Sequence, residues 1–149
     1  MRFLQVLMLG AGLAMQAKAY DLTFYDNVMD CNANDNTNYK IFEGNSDQCI
    51  NLFDTPPSDT SCSLYTNGGF SNTACTSDNF RATSVFLNDL HTQVLGTNSC
   101  WSCTFYNERD CEVETYPPIT TDKCNYRGGH GLASFKCSLE MKFGMAIGI

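Results

Sequence analysis

The chain has 149 residues, 43% of them hydrophobic and 17% charged, with nine Cys and a formal charge of −7. That length suits one domain, and the apolar share, with only 11 Gly and 4 Pro, excludes a disordered or collagenous chain. The few dispersed Lys and Arg form no stripe for counterion release, which excludes nucleic acid and anionic membrane surfaces as partners.

Met1-Arg2 supplies a positive start, Phe3 to Met15 is almost wholly apolar, and Ala17-Lys18-Ala19 has the small-x-small form of a signal-peptidase site. The apolar run is shorter than the roughly 20 residues of a bilayer span, and no later segment reaches that length. Residues 1–19 therefore read as a signal peptide, with no membrane span and a secreted, extracellular mature chain. Their removal takes two of the nine cations and none of the 16 acids, which leaves a charge of −9 on 130 residues. All nine Cys remain, the composition of a disulfide framework made in an oxidising compartment. Bridges of this kind each contribute about 2–4 kcal/mol, which compensates for the modest core of a small domain.

Along residues 20–149, Leu22-Thr23-Phe24-Tyr25-Asp26-Asn27, Cys62-Ser63-Leu64-Tyr65-Thr66-Asn67 and Cys103-Thr104-Phe105-Tyr106-Asn107-Glu108 form three Tyr-centred repeats, with Tyr spacings of 40 and 41 residues. Each reads as a strand running into a turn, and Asn67-Gly68-Gly69 in the second is a hairpin signal. Further strands are expected at 38–43, 82–88 and 132–143. In the last, Phe135, Cys137, Leu139, Met141 and Phe143 alternate with polar residues, the period of a half-buried strand. Leu87, Leu90 and Val94 offer a competing reading, a short helix capped by Asp78 and running to Leu95. Pro56-Pro57 and Pro117-Pro118 mark loops rather than a domain boundary, so a single domain is expected over residues 20–149. The apolar tail Met145-Ala146-Ile147-Gly148-Ile149 is too short to anchor anything.

The run Tyr65-Thr66-Asn67-Gly68-Gly69-Phe70-Ser71-Asn72 resembles the first hairpin of βγ-crystallin-like Greek-key proteins, with Asn72 where Gly is usual. Ser84 and Ser134 fall where that family has a Ser closing the hairpin, and Ala133-Ser134-Phe135-Lys136-Cys137 looks like its closing strand in small secreted cysteine-rich proteins of filamentous fungi. The resemblance implies an all-β, compact, disulfide-stabilised Greek-key β-sandwich and an effector-like or killer-toxin-like role. Three copies of about 40 residues also suit a β-trefoil, the second choice of fold.

Catalytic and metal signals are weak. Asn79-Phe80-Arg81-Ala82-Thr83-Ser84 approximates a crystallin calcium motif, but Phe80 supplies no side-chain oxygen. Cys100-Trp101-Ser102-Cys103 runs into a strand, which suits structural half-cystines better than redox or zinc chemistry. His91 and His130 lack accompanying hydrolase motifs, and Asp110, Glu112 and Glu114 read as a solvated acidic strand face. No metal, cofactor or catalytic residue is expected, and the protein is read as a non-enzyme. Trp101, Tyr106, Tyr116 and Tyr126 are the candidate binding residues, since flat rings stack on sugars; the other reading, that Tyr and Trp fill a small disulfide-linked core, carries more weight. Pairing within repeats gives Cys31–Cys49, Cys62–Cys75 and Cys111–Cys124, with Cys103–Cys137 and an unpaired Cys100. The ninth thiol is either buried in a monomer or links two chains. The function so read is binding to an extracellular protein, as an effector or toxin-like protein, or to a cell-wall polysaccharide, with a secreted hydrolase as the third reading.

Overall fold

The structure, a computed structural model, describes residues 19–88, 91–94, 97–113, 123–126 and 131–142. The leader up to Lys18, Glu114, Tyr116, Pro117-Pro118, His130 and the 145–149 tail lie outside them. The strands are β1 (Tyr20–Tyr25), β2 (Tyr39–Gly44), β3 (Cys49–Asn51), β4 (Thr60–Thr66), β5 (Ser71–Ala74), β6 (Ser84–Asn88), β7 (His91–Val94), β8 (Thr97–Tyr106), β9 (Cys124–Tyr126) and β10 (Ser134–Lys142). They form a six-stranded sheet, β5-β4-β2-β1-β6-β9, and a four-stranded sheet, β3-β10-β8-β7, with every neighbouring pair antiparallel. Neither sheet closes into a barrel, so the all-β fold has two layers and the trefoil arrangement does not occur.

Period-two patterning builds the core. Tyr20, Leu22 and Phe24 of β1, Phe42 of β2, and Val85 and Leu87 of β6 are buried together with Ile50, Trp101, Cys103, Phe105, Phe135 and Cys137 of the other sheet. Tyr20 meets Trp101 edge-on at 5.2 Å between ring centroids, and Phe24 meets Phe135 at the same separation. Burial of each large side chain stabilises by about 1.5–3 kcal/mol. In β10, Phe135 and Cys137 are buried and Lys136, Ser138 and Glu140 exposed, as its alternation requires.

The strand expected at 82–88 forms as β6, and among the described residues of 78–95 the competing helix does not form: 84–88 and 91–94 are β6 and β7. Val85 and Leu87 alternate into the core opposite Phe24 and Leu22, and β1 gains a second neighbour that satisfies its backbone. Asp78 caps nothing: its carboxylate accepts from the Lys40 ammonium and the Phe80 N–H.

The three repeat tyrosines all close strands, at the ends of β1 and β8 and one residue short of the end of β4. Tyr25, Tyr39 and Tyr65 lie side by side across β1, β2 and β4, and Tyr39 stacks on Tyr65 at 4.9 Å with the rings 7° from parallel. The turn after β4 is held by Asn67, Gly68 and Gly69, all at positive φ. A Cβ at Gly69, where φ is +97°, would sit 2.5 Å from the Tyr39 hydroxyl. Gly69→Ala is expected to lower stability by about 1–3 kcal/mol through left-handed strain and the clash. A thermal melt unchanged from wild type would contradict this.

Four disulfides cross-link the strands: Cys31–Cys124, Cys49–Cys111, Cys62–Cys75 and Cys103–Cys137. The expected Cys31–Cys49 and Cys111–Cys124 pairs do not form; their members exchange partners. Sheet membership explains the exchange. Cys31 follows β1 and Cys124 lies on β9, both in the six-stranded sheet, whereas Cys49 on β3 and Cys111 after β8 belong to the four-stranded one. Cys100 is free and 3% exposed, so a link through it to a second chain would require opening of the fold.

Tyr20 carries a pH signature. Burial pushes its hydroxyl up from 10.0 to about 12, opposed by a hydrogen bond with Thr60. Burial also raises Tyr25 and Tyr39. A raised folded-state pKa means that this stability is complete below pH 10 and is lost as pH rises toward 12. For Tyr20 alone the loss is about 2–3 kcal/mol. Rapid alkaline melts, with tyrosinate absorbance recorded alongside, should show delayed ionisation that ends with unfolding.

Candidate functional site

The turns at one end of the sandwich are tied together: the Thr83 N–H donates to the Tyr25 carbonyl, the Thr83 hydroxyl to the Asp26 carbonyl, the Ala133 N–H to the Tyr106 carbonyl, and the Arg81 guanidinium to the Asn107 carbonyl at 3.0 Å. Ala82 and Leu132 also pair as an isolated bridge. A cleft of about 570 Å³ opens here, lined by Phe53, Asp54, Asp78, Asn79, Arg81 and Arg109, with Ser77 at its wall. A second hollow of about 420 Å³ shares Asp78, Asn79 and Arg81 with it and extends toward Asp26 and Leu64. These volumes are in the range of small-ligand sites, and loop ends of sandwiches are where such sites form.

The floor is an ion pair. Lys40 is wholly buried, donates to the Leu52 carbonyl at 2.7 Å, and meets both Asp78 carboxylate oxygens at 2.9–3.0 Å. Its ammonium also lies 5.0 Å from the Phe80 ring centroid. One pair thus joins β2, the end of β3 and the loop before β6.

The wall is a strained turn at Arg109–Cys111. Asp110 and Cys111 both have positive φ, at 56° and 57°. Their surroundings over-determine that conformation. Asn51 accepts from the Asp110 N–H at 2.8 Å and donates to its carboxylate at 2.9 Å, while also donating to Asp54. The Ser134 hydroxyl donates to the Glu108 carbonyl and accepts from the Cys111 N–H, and the Cys49–Cys111 bridge fixes the turn to β3. Arg109 emerges from this turn over the Phe53 ring, 4.5 Å from its centroid, and approaches Asp54 at 3.4 Å. Persistent strain of this kind costs about 1–3 kcal/mol and collects at functional sites.

Of the four candidate binding aromatics, the three described ones do not come together. Trp101 is 4% exposed and sits in the core; only its margin reaches a separate hollow beside Asn45 and Leu139. Tyr106 is half-buried at the end of β8, Tyr126 is exposed on the edge strand β9 of the other sheet, and Tyr116 lies outside the described residues. Trp101→Ala would therefore remove core packing rather than a stacking platform. Among the described residues the expected acidic strand does not form, since Asp110 lies in the strained turn and Glu112 follows it outside any strand; Glu114 lies outside the described residues. Thr83 and Ser84 spend their hydroxyls on the Asp26 and Val28 carbonyls, and Phe80 faces the Lys40 ammonium rather than a calcium position. No group of three or more His, Cys, Asp or Glu among the described residues could hold a metal ion, and no helix among them is long and apolar enough to cross a membrane. Of Cys100 and Cys103, both on β8, the second is bridged and the first buried.

Sequence reading missed Phe53, Asp54, Arg81 and Arg109 because three separate loops supply them. The available signal was that three of the nine cations, Lys40, Arg81 and Arg109, follow or lie within segments rich in Asp and Asn.

Fold and cleft define a disulfide-linked, two-sheet domain with a polar cleft at its loop end. Residues 20–138 match the family described as secreted LysM effector LysM14, C-terminal domain, and the chain belongs to that family. The family name describes secreted effectors. No curated protein and no solved structure matches the chain.

Proposed function

We propose that the protein is a secreted fungal effector that works outside the producing cell by non-covalent binding at the loop-end cleft, without catalysis. The observation that supports this most strongly is Arg109, which a strained and over-braced turn holds at the cleft although folding has little use for an exposed cation. The family match and β1 both begin at Tyr20, which supports removal of residues 1–19. Burial of Cys100 favours a monomer. Greek-key connectivity of the βγ-crystallin type belongs to this reading, as does a partner in the extracellular wall or matrix, either protein or polysaccharide.

The test is retention of the purified, oxidised protein on insoluble cell-wall material containing both polysaccharide and protein. Saturable retention that falls at least tenfold in Arg109→Ala, with no soluble product released, is expected. Release of sugar or peptide would overturn the non-enzymatic reading, and equal retention of the variant would move the site away from the cleft.

A further inference from the structure

We infer that the protein pairs reversibly with a second copy of itself through the open edge of β5, so that the two six-stranded sheets join into one. The pairing does not depend on binding at the cleft; it sets how many clefts act together.

The edge is the first observation. Among the described residues β5 pairs with β4 alone, and Ser71, Asn72, Thr73 and Ala74 are all exposed. Proteins commonly blunt such an edge with a charge, a Pro or a bulge, because an open edge is a template for another strand. β5 has none of these: it carries no charged residue and no Pro, and its register with β4 runs unbroken from Ser63–Ala74 to Thr66–Ser71. The edge strands β3 and β9 are instead bridged to other loops, through Cys49–Cys111 and Cys31–Cys124. The hairpin is also ordered in advance. Cys62–Cys75 closes it, the Thr66 and Ser71 hydroxyls bond at 2.7 Å, and the Gly68 N–H donates to the Thr37 carbonyl. A strand already in place loses little entropy on pairing.

Charge selects the occupant. Two copies of a chain with net charge −7 repel wherever their acidic surfaces meet. From Thr60 to Ser77 the chain has no Asp, Glu, Lys or Arg, although 17% of its residues are charged. A basic partner would seek the acidic surface, whereas a partner of the same charge can approach only where charge is missing.

Register makes the edge self-complementary. The Cys75 N–H donates to the Cys62 carbonyl, so antiparallel alternation turns the N–H and C=O of Asn72 and Ala74 away from β4. About a two-fold axis at Thr73, Asn72 of each copy exchanges both backbone bonds with Ala74 of the other, and every outward group on the strand finds a partner. The two Thr73 side chains meet at the axis as an uncharged, favourable cross-strand pair. Phe70, 91% exposed and just before β5, is carried to the Cys75 end of the other β5 and gains cover there.

A strand of 4 residues buries far less than the about 1,200 Å² of a stable interface, so the pair is weak. With Cys100 buried, no covalent link reinforces it, and the monomer prevails at low concentration. Where copies are crowded, each pair presents two clefts, which strengthens retention on a repeating ligand.

The test is sedimentation velocity of the purified, oxidised protein over about a hundredfold range of concentration, with the wild type expected to pass from monomer to dimer. Thr73→Lys and Thr73→Glu, each of which sets like charges together at the axis, should each weaken the dimer at least tenfold. Both should melt like the wild type in dilute solution, since Thr73 is exposed. An equimolar mixture of the two variants should dimerise again, because opposite charges then meet. A wild type that stays monomeric throughout would overturn the proposal, as would a dimer that survives both substitutions. Loss of the dimer in both variants without recovery in the mixture would overturn the axis at Thr73.

Discussion

Asp78→Ala is expected to lower the free energy of unfolding by about 3 kcal/mol, more than any other single surface-accessible change, because it strands a buried ammonium. Lys40 has no exposed surface, and its remaining partners are one carbonyl at 2.7 Å and the face of Phe80. The carboxylate is 31% exposed, which places the expected loss at the lower end of the range for buried pairs. The double variant Lys40→Met, Asp78→Ala should recover most of the loss, since replacement of both charges removes the desolvation penalty together with the attraction. Denaturant melts of the two variants decide the matter. A double variant as unstable as Asp78→Ala would show that the pair matters through loop geometry rather than through the stranded charge.

The second large effect concerns the Cys31–Cys124 bridge, which closes 93 residues, against 13 for Cys62–Cys75. By restriction of the unfolded chain, the two contribute about 4.6 and about 2.9 kcal/mol. Replacing Cys31 and Cys124 together by Ser should therefore cost more than replacing Cys62 and Cys75. The long bridge also holds the loop after β1 against the edge strand β9, which among the described residues pairs with β6 alone. Its loss should free β9 first, seen as faster amide exchange at Cys124–Tyr126 than at β1. Equal melting points for the two double variants would contradict the account.

Much of the fold was legible because it is local. The alternation of Phe135, Cys137 and Leu139 dictates β10, and Asn67-Gly68-Gly69 supplies the positive φ angles that the turn after β4 uses. The tyrosines singled out in the sequence fall at or one residue short of strand ends, and those of β1 and β4 flank Tyr39 of β2. What could not be read depends on which strands become neighbours. Trp101 on β8 meets Tyr20 of the other sheet, so its ring is enclosed; sequence alone left a core role and a stacking platform both open, because which face of β8 packs inward depends on the facing sheet. The bridges of Cys31 and Cys49 follow sheet membership, which no spacing reveals. The cleft is the extreme case, because Phe53, Arg81 and Arg109 come from loops that only the packed sheets bring together.

The central claim is that binding resides at the loop-end cleft and not on the aromatic residues that the sequence suggested. Parallel retention isotherms on cell-wall material for the wild type, Arg109→Ala and Tyr126→Ala test it most directly, since both side chains are exposed and both variants should melt like the wild type. The account predicts at least a tenfold loss for Arg109→Ala and none for Tyr126→Ala. Loss confined to Tyr126→Ala would contradict it and place the binding face on the edge of the six-stranded sheet.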